Sequence, residues 1–315
     1  MPLDAIRSSL PATSVNATGV DSLGVNSLGV NALGVNSLGV NSPVGIFDSG
    51  LGGLSVLRAV RAALPDERLI YVADSLYAPY GERDDDFIAD RTLAIGEWLI
   101  AQGAKALVVA CNTATAQSIA QARERLPIPM IGVEPGIKPA ALMSQTRVAG
   151  VLATAVTLRS ARFQALAERY STDCRFILQP GHGLVQAVER CDVDSPELIE
   201  LLRTYVRPML DANADTLVLG CTHYPFLDKA IRTIAGDRLA LIDTSVAIAR
   251  QLERQLDLHG MRAAPSHDVH APRFCSTNDG RMQQKLVASL LGIDINVERV
   301  DIPSRRTRAL ESGAA

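Results

Sequence analysis

Two cysteines, Cys111 and Cys221, occupy matching positions in two similar segments of the chain. Residues 106–113 read ALVVACNT and residues 216–223 read TLVLGCTH, so each cysteine follows an apolar run and precedes small polar residues. A free thiol has a pKa of about 8.5 and can act as an acid or, once deprotonated, as a base near neutral pH. Two thiols on opposite faces of one carbon would invert it, because one removes a proton while the other supplies one.

Each cysteine segment has a related segment upstream and a candidate for assisting proton transfer. Residues 44–49 read VGIFDS, with Asp48 near the end, and residues 149–154 read AGVLAT. His223 follows Cys221 by two positions, so we interpret Asp48 and His223 as groups that could shuttle a thiol proton. The alternatives are structural: cysteines that only pack, a histidine with satisfied hydrogen bonds, and an aspartate that caps the next helix.

Short apolar runs alternate with helical stretches from about residue 43 onward. The runs lack the polar–apolar alternation of half-exposed strands, so each predicts a strand buried on both faces. The helix predicted over 84–102 has Ile88, Ile95 and Leu99 on one face and Gly103 where a C-terminal cap belongs. The predicted strands are 44–47, 69–73, 106–110, 130–133, 148–152, 216–219 and 239–242.

The repeated order of strand, helix and strand predicts an α/β fold with parallel sheets and right-handed crossovers. The two similar cysteine segments further predict two pseudo-symmetric domains, each a mostly parallel sheet flanked by helices, with the active site between them. Ligands of open α/β sheets bind beyond the carboxyl ends of the strands, near the N-termini of the following helices. We therefore expect a small anionic substrate between two opposed thiols.

The composition argues against several classes of protein. A net charge of −3 and a pI of about 6.0 do not favour nucleic-acid binding, and no run of about eighteen apolar residues predicts a membrane span. Five cysteines without a Cys-x-x-Cys pair favour neither a secreted disulfide framework nor a zinc site. Only four of the 31 basic residues are lysines, which does not favour a pyridoxal site. The N-terminus has no secretory signal, so we expect a cytoplasmic protein.

The first 42 residues differ from the rest of the chain. From Val15 onward, a five-residue repeat of the kind VNSLG places glycine at every fifth position, which is the period of neither a helix nor a strand. We predict a low-complexity extension over residues 1–42 that is disordered or loosely attached, and a folded part that begins near Pro43.

Three weaker signals lie outside the cysteine segments. Residues 50–53 (GLGG) follow a strand as a phosphate loop would, but Ser55 replaces the last glycine of that pattern, which favours a tight turn with close backbone approach to a small ligand. Residues 77–81 (YAPYG) predict a rigid turn just past another strand. We expect no metal at the three histidines of a proline-containing connection, which are His259, His267 and His270.

Five segments together resemble the glutamate racemase family. The resemblance covers most of the chain from about Pro43, and its Cys-Thr-His ending at 221–223 separates it from the similar aspartate racemases, which usually carry Cys-Thr-Glu. The segments are PVGIFDSGLGGLSVLRAV (43–60), YVADSLYAPYGER (71–83), VVACNTATA (108–116), GVEPGIKPA (132–140) and VLGCTHYPFL (218–227).

The resemblance implies a role for each matching position. Cys111 would handle the proton on the D-glutamate side and Cys221 the proton on the opposite side, with Asp48 and His223 assisting the two thiols. It also implies that the enzyme uses no cofactor and no metal, and that it is a homodimer supplying D-glutamate for the bacterial cell wall. Substrate contacts are implied for Asp48, Ser49, Tyr80, Gly81, Asn112, Thr113, Thr154, Thr222 and His223.

The resemblance also implies a discontinuous first domain, and in one segment the sequence departs from the family pattern. Residues 179–189 read QPGHGLVQAVE, whereas many relatives have Cys-Pro before the Leu-Val, so the role of the matching acid Glu189 stays open. The predicted limits are 43–138 plus 246–305 for the first domain, 139–245 for the second domain and 306–315 for a C-terminal tail.

Other functions are compatible with the same motifs. The site could racemise aspartate or another acidic amino acid, or isomerise a small dicarboxylate. A non-catalytic protein on the same fold could keep the site in order to bind a small ligand. A thiol redox sensor would instead join Cys111 to Cys221 in a disulfide.

Overall fold

The computed structural model describes residues 39–266, 270–292 and 294–305. Residues 1–38 of the predicted extension, the predicted tail 306–315 and His267 lie outside the described residues. Residues 39–42 form a turn in which the Ser42 amide donates to the Gly39 carbonyl at 2.9 Å.

The described strands form two sheets, and every pair of neighbours is parallel. In chain order the strands are β1 Val44–Asp48, β2 Leu69–Ala73, β3 Ala106–Val109, β4 Met130–Gly132, β5 Val148–Ala153, β6 Arg175–Pro180, β7 Thr216–Gly220, β8 Ala240–Ile242, β9 Arg273–Ser276 and β10 Val297–Arg299. The first sheet has the order β10-β9-β2-β1-β3-β4, and the second has the order β6-β5-β7-β8.

Helices connect the strands, as parallel pairing requires. In chain order they are α1 Leu54–Ala63, α2 Asp85–Ala101, α3 Asn112–Arg125, α4 Ile137–Met143, α5 Ala155–Arg159, α6 Ala161–Arg169, α7 Leu184–Glu189, α8 Pro196–Asp211, α9 Asp228–Ala235, α10 Ser245–Leu258 and α11 Gly280–Leu291. Short 3₁₀ turns lie at Tyr80–Glu82, Tyr224–Leu227 and Gly236–Arg238.

The long helix α2 shows how local sequence sets these elements. The Asp84 carboxylate accepts the Phe87 amide at 2.7 Å, which caps an N-terminus whose first turn carries two more aspartates. The helix ends before Gly103, which has a φ of 86°, a conformation that glycine adopts at little cost. The helix predicted over 84–102 is confirmed, with its two end residues serving as caps.

The two sheets repeat one arrangement. The order β4-β3-β1-β2 in the first sheet corresponds to β8-β7-β5-β6 in the second, so β1 matches β5 and β3 matches β7. The predicted α/β fold with two pseudo-symmetric parallel sheets is confirmed. In each sheet the strand that leads into a cysteine pairs directly with the strand that carries Asp48 or precedes Thr154.

The limits of the predicted strands agree with the structure to within a residue or two. Their predicted burial also agrees for the central strands but not for the edge strand β8. Each of the strands β1, β2, β3 and β7 is buried along its whole length, as predicted. For β8 the prediction of burial on both faces was wrong, because this strand pairs only with β7 and leaves Ala240 exposed. The strands β6, β9 and β10 were missed, because arginines, a glutamate or a glutamine interrupt their apolar sequence.

The chain crosses between the sheets twice. After β4, helix α4 packs on the second sheet through Ile137 and Ala140, and after β8, helix α10 packs on α1 through Ile248 and Leu252. Strands β9 and β10 then complete the first sheet. The exact domain limits stay a prediction. None of the described helices combines the length and apolar character needed to cross a membrane.

Candidate active site

The carboxyl ends of four central strands carry most of the predicted site residues. Asp48 ends β1 and Ser49 follows it, while Cys111 lies just after β3 as the N-cap of α3. In the second sheet, Thr154 follows β5 as the N-cap of α5, and Cys221 to His223 follow β7. The rule for ligand sites in open parallel sheets therefore holds for both halves.

One cavity joins the two halves and is lined by both cysteines. Cys111 is 4 % exposed and Cys221 is 6 % exposed, so both thiols lie in a nearly closed space. The free space between them is about 10 Å³, which is about the room of one water molecule, so the cavity must widen before an amino acid can fit. The lining residues are Ser49, Pro79, Tyr80, Gly81, Cys111, Asn112, Thr113, Thr154, Val185, Cys221, Thr222 and His223.

The Cys111 half of the site is buried and close to a carboxylate. The Cys111 sulfur lies 3.4 Å from the Ser49 hydroxyl and accepts the Ala114 amide at 3.4 Å. Burial raises the pKa of Cys111, the negative charge of Asp48 raises it further, and the contacts of Ser49 and Ala114 offset only part of this rise. The amide at the N-terminus of α3 thus lowers the pKa of this thiol, but burial outweighs this contribution.

Asp48 lies behind the cavity wall and contacts both halves. Its carboxylate accepts the Gly53 amide at 2.9 Å, and the Thr222 hydroxyl lies 3.4 Å from Oδ1. Burial raises the pKa of Asp48, while the charge of His223 and the Gly53 amide lower it in part. Asp48 thus fixes the loop that leads into α1, although the N-cap of that helix is Gly53, and it also acts electrostatically on Cys111.

The Cys221 half contains an imidazole between a sulfur and a carboxylate. His223 Nδ1 lies 3.7 Å from the Cys221 sulfur, and Nε2 lies 2.7 Å from Glu189 Oε1. Burial lowers the pKa of His223, but the hydrogen bonds and negative charges of Cys221 and Glu189 raise it more, so the pKa lies well above 6.5. This shift in pKa favours the protonated, positively charged form of the imidazole.

The glycine loop over residues 50–53 packs against this histidine and carboxylate. The Leu51 amide donates to Glu189 Oε1 at 2.6 Å, and the Gly52 nitrogen lies 3.2 Å from His223 Nε2. A Cβ atom at Gly50 would lie 2.0 Å from Glu189 Oε1, and one at Gly52 would lie 2.3 Å from His223 Nδ1. Protein side chains thus fill the space beside these glycines. The loop was expected to approach a small ligand, but at Gly50 and Gly52 it approaches the side chains of Glu189 and His223.

The remaining wall of the cavity carries hydroxyl and amide groups. The Thr113 and Thr154 hydroxyls lie 3.0 Å apart and join the two halves, and the Tyr80 hydroxyl donates to Asp74 at 2.5 Å. Among the described residues, Asn112 Nδ2 is a buried nitrogen that has no hydrogen-bond partner. A buried donor without a partner costs about 1–3 kcal/mol, so a ligand oxygen beside it would be favourable.

The other candidate residues lie away from this cavity. His259 follows α10, where its Nδ1 lies 2.8 Å from the Gln255 carbonyl oxygen, and His270 lines a separate cavity beside α1. Within residues 39–266, 270–292 and 294–305, no group of three or more His, Cys, Asp or Glu side chains is arranged to hold a metal ion. All five cysteines are free thiols.

The sequence did not indicate two parts of the site, and it left the role of a third residue open. Pro79 and Val185 line the cavity although neither has a side chain that signals chemistry. Glu189 was named with an open role, and its contact with His223 depends on where α7 packs. Tyr71, which donates to the Gly50 carbonyl at 2.9 Å and so holds the glycine loop, reads as an ordinary strand residue.

Comparisons with known proteins place the chain among racemases. The sequence model of the Asp/Glu/Hydantoin racemase family matches residues 54–252. A glutamate racemase of Ralstonia pickettii (strain 12J) is 60 % identical over 261 residues, which cover 83 % of this chain and 92 % of the relative.

Solved structures lead to the same family. A glutamate racemase isoform from Bacillus anthracis superposes with a TM-score of 0.76 at 30 % identity, over 84 % of this chain and 99 % of that one. The glutamate racemase of Francisella tularensis subsp. tularensis SCHU S4, solved in complex with D-glutamate, has a TM-score of 0.73 at 27 % identity, over 84 % of this chain and 98 % of that one.

Proposed function

Since the chain belongs to the glutamate racemases of the Asp/Glu/Hydantoin racemase family, we propose that it interconverts L- and D-glutamate with Cys111 and Cys221 as its proton-transfer groups. The observation that carries this proposal is the single cavity lined by both thiols. One sulfur follows β3 of the first sheet and the other follows β7 of the second. An amino acid held in this cavity would have a thiol from each sheet available to it.

The proton balance gives each thiol one role in each direction. With L-glutamate bound, the Cys221 thiolate takes the α-proton and becomes a thiol, and the electron pair stays on the α-carbon and its carboxylate. The Cys111 thiol then donates its proton to the opposite face and becomes a thiolate. D-Glutamate reverses both transfers. Return to the starting form requires one proton to pass from Cys221 to Cys111, through solvent or through the assisting groups.

The surroundings of the two sulfurs support this starting form. A protonated His223 lies 3.7 Å from the Cys221 sulfur, and its positive charge attracts a thiolate in this low-dielectric space. Burial and the charge of Asp48 raise the pKa of Cys111, which favours the thiol there. These surroundings suit the proposed roles, in which Cys221 takes the α-proton of L-glutamate and Cys111 gives one to the opposite face.

Polar groups on the cavity wall would hold the substrate. Asn112 Nδ2 has no partner among the described residues, so it can donate to a substrate carboxylate. The hydroxyls of Ser49, Thr113, Thr154 and Thr222, and the Tyr80–Gly81 turn, line the same space. Fixing the substrate at these groups aligns the α-carbon between the sulfurs, and such alignment accounts for much of the rate of enzymatic proton transfer.

The wider role follows from the same assignment. The relative from Francisella tularensis was solved with D-glutamate, which supports glutamate as substrate here. We propose that the enzyme works without a cofactor or metal as a cytoplasmic homodimer and supplies D-glutamate for peptidoglycan. We also propose the domain limits given above, with residues 246–305 completing the first domain.

A racemase of aspartate is the second candidate. The Cys-Thr-His ending favours glutamate, and His223 of this ending contacts Cys221 and Glu189. Initial rates with both enantiomers of glutamate and of aspartate test this choice. We expect faster turnover of glutamate, and faster turnover of aspartate would overturn the assignment.

The thiol mechanism is tested by racemisation in D₂O. Because two separate groups handle the two faces, the first product molecules should carry α-deuterium while the remaining substrate carries almost none. Cys111→Ser and Cys221→Ser should each lower racemisation by about 10³-fold or more, since a serine hydroxyl is a far weaker acid than a thiol. Full activity in the Cys111→Ser enzyme would refute the mechanism.

A further inference from the structure

A buried ion pair stands behind the Tyr80 wall of the cavity. Arg91 Nη2 lies 2.7 Å from Asp74 Oδ1 and Arg91 Nε lies 2.9 Å from Asp74 Oδ2, so the pair is bidentate. Both side chains are 0 % exposed. The same Asp74 Oδ2 accepts the Tyr80 hydroxyl at 2.5 Å. The phenol that lines the cavity is therefore fixed by a carboxylate that is itself fixed by an arginine.

Arg91 ties this pair to two further parts of the molecule. Its Nη1 donates to the Ile302 carbonyl at 2.5 Å, which joins the segment after β10 to the site. Its guanidinium lies 4.5 Å from the centre of the Tyr77 ring, at the start of the same turn that carries Tyr80. Phe87 packs edge-on against both tyrosines. The turn over residues 77–82 is thus held from behind by one charged side chain.

Stability alone does not account for such a pair. Removing two charges from water costs several kcal/mol for each ion, and well-packed apolar residues of the same volume often stabilise a fold as well or better. What an apolar replacement would not supply is the carboxylate that accepts the Tyr80 hydroxyl. Burial and the neighbouring Asp74 charge raise the pKa of Tyr80 well above its usual range, so the phenol keeps the proton it donates.

We propose that Arg91 and Asp74 are positioning residues for the racemase reaction, and that they act by fixing Tyr80 and the adjacent Gly81 against the substrate. This inference rests on the proposed function. A Cβ atom at Gly81 would lie 3.2 Å from the Thr154 Cβ, so the turn that carries Tyr80 and Gly81 already packs closely on the second half of the site. Loss of the Arg91–Asp74 ion pair would widen this contact and weaken substrate binding.

The test compares Arg91→Lys, Tyr80→Phe and the double variant by KM and kcat for glutamate. Lysine keeps the charge but cannot make the bidentate pair and the bond to Ile302 together. We expect each single variant to raise KM about tenfold, because a small misplacement of a binding group weakens substrate binding strongly. In the Tyr80→Phe background, Arg91→Lys should raise KM by less than about twofold further, because the two residues act in series.

Glu67→Gln is the matched control. Glu67 Oε2 lies 2.6 Å from Lys105 Nζ in a second fully buried pair, just before β3 and away from the cavity. This variant should lower the melting temperature while KM stays within about twofold of wild type. A merely structural role for Arg91 would give the same pattern in Arg91→Lys, and that result would overturn the inference.

Other results would overturn either the positioning role of Arg91 or the proposed function. If Arg91→Lys does not fold, Tyr80→Phe stands alone, and a wild-type KM in that variant would overturn the inference. Tenfold effects that multiply in the double variant would mean that Arg91 does not act through Tyr80. Wild-type enzyme that does not racemise glutamate would refute the proposed function itself, whereas normal racemisation with an unchanged KM in Arg91→Lys would refute only the positioning role.

Discussion

The two halves of the site look alike in sequence but differ in charge. In the first half, the sulfur of Cys111 is accompanied by a hydroxyl and by the carboxylate of Asp48, and burial together with that carboxylate raises the pKa of the thiol. In the second half, Cys221 is accompanied by an imidazole whose pKa is raised by the thiol and by Glu189. Cys111 thus lies near a carboxylate, whereas Cys221 lies beside an imidazole.

The unequal charges beside the two thiols explain how a symmetric fold could start an inversion. Two thiols in identical surroundings would have no preferred proton donor, whereas an imidazolium beside one and a carboxylate near the other favour one thiolate and one thiol. The equal pseudo-symmetric strands supply the opposed geometry. In the proposed mechanism the unequal neighbours supply the difference in protonation. Asp48 comes from another segment than Cys111, whereas His223 follows Cys221 by two positions.

The largest effect is expected on removing either neighbour. His223→Gln and Asp48→Asn should each lower kcat/KM for glutamate by about 10³-fold, because each group supports proton transfer at one sulfur. The two enantiomers have an equilibrium constant of one, so kcat/KM must fall equally for both directions in each variant. Wild-type rates in either variant would show that its side chain only packs.

Isotope exchange can separate the two halves although kcat/KM cannot. In D₂O, a variant with slow proton delivery should hold the abstracted proton on the first thiol long enough for it to exchange with solvent. Return from that thiol then places deuterium on the remaining substrate. We expect His223→Gln and Asp48→Asn to differ in which enantiomer is labelled first. Identical labelling in both variants would contradict the assignment of one assistant to each thiol.

A smaller loss, of about 10²-fold in kcat, is expected for Gly52→Ala. A Cβ atom there would lie 2.3 Å from His223 Nδ1, so the imidazole must move away from the Cys221 sulfur. Gly39→Ala is the matched control, because no atom lies within 4 Å of its added Cβ. Gly52→Ala with normal kcat would mean that the glycine loop can move away without disturbing the histidine.

The sequence predicts the central strands and the residues at their ends well. Runs such as LIYVA at Leu69–Ala73 are apolar because both faces are covered, so the pattern itself reports their position in the sheet. Residues that follow such strands lie at the carboxyl edge of their own sheet, which is the first sheet for Cys111 and the second for Thr154 and Cys221. Arg175–Pro180 was missed because its arginine and glutamine interrupt the apolar run.

The electrostatics could not be predicted in the same way. The pKa of Cys111 depends on burial and on the charge of Asp48, which is far away in the sequence, and these outweigh the local helix N-terminus. The contact between Glu189 and His223 depends on where α7 packs, and the residues before α7 depart from the usual family pattern. The sequence near a strand shows where the strand ends. The contacts of Asp48 with Cys111 and of Glu189 with His223 depend on how distant segments pack.

The smallest effect expected concerns stability in the second half of the site. His223 has a pKa raised above its unfolded value of 6.5, so its ion pair with Glu189 stabilises the fold fully below pH 6.5 and loses this effect as the pH rises through the folded pKa. Glu189→Gln keeps the shape of the side chain but removes the charge. We expect it to lower the free energy of unfolding by about 1.5 kcal/mol at pH 6.

The gap between wild type and Glu189→Gln should then shrink as the pH rises, because wild type loses the imidazolium that Glu189 stabilises. Denaturant unfolding at several pH values between about 6 and 9 measures this gap. Glu200→Gln is the matched control, since Glu200 pairs with Arg203 on an exposed helix surface, where ion pairs contribute little at any pH. A gap for Glu189→Gln that stays constant with pH would mean that Glu189 holds the Leu51 amide but does not stabilise charge on His223.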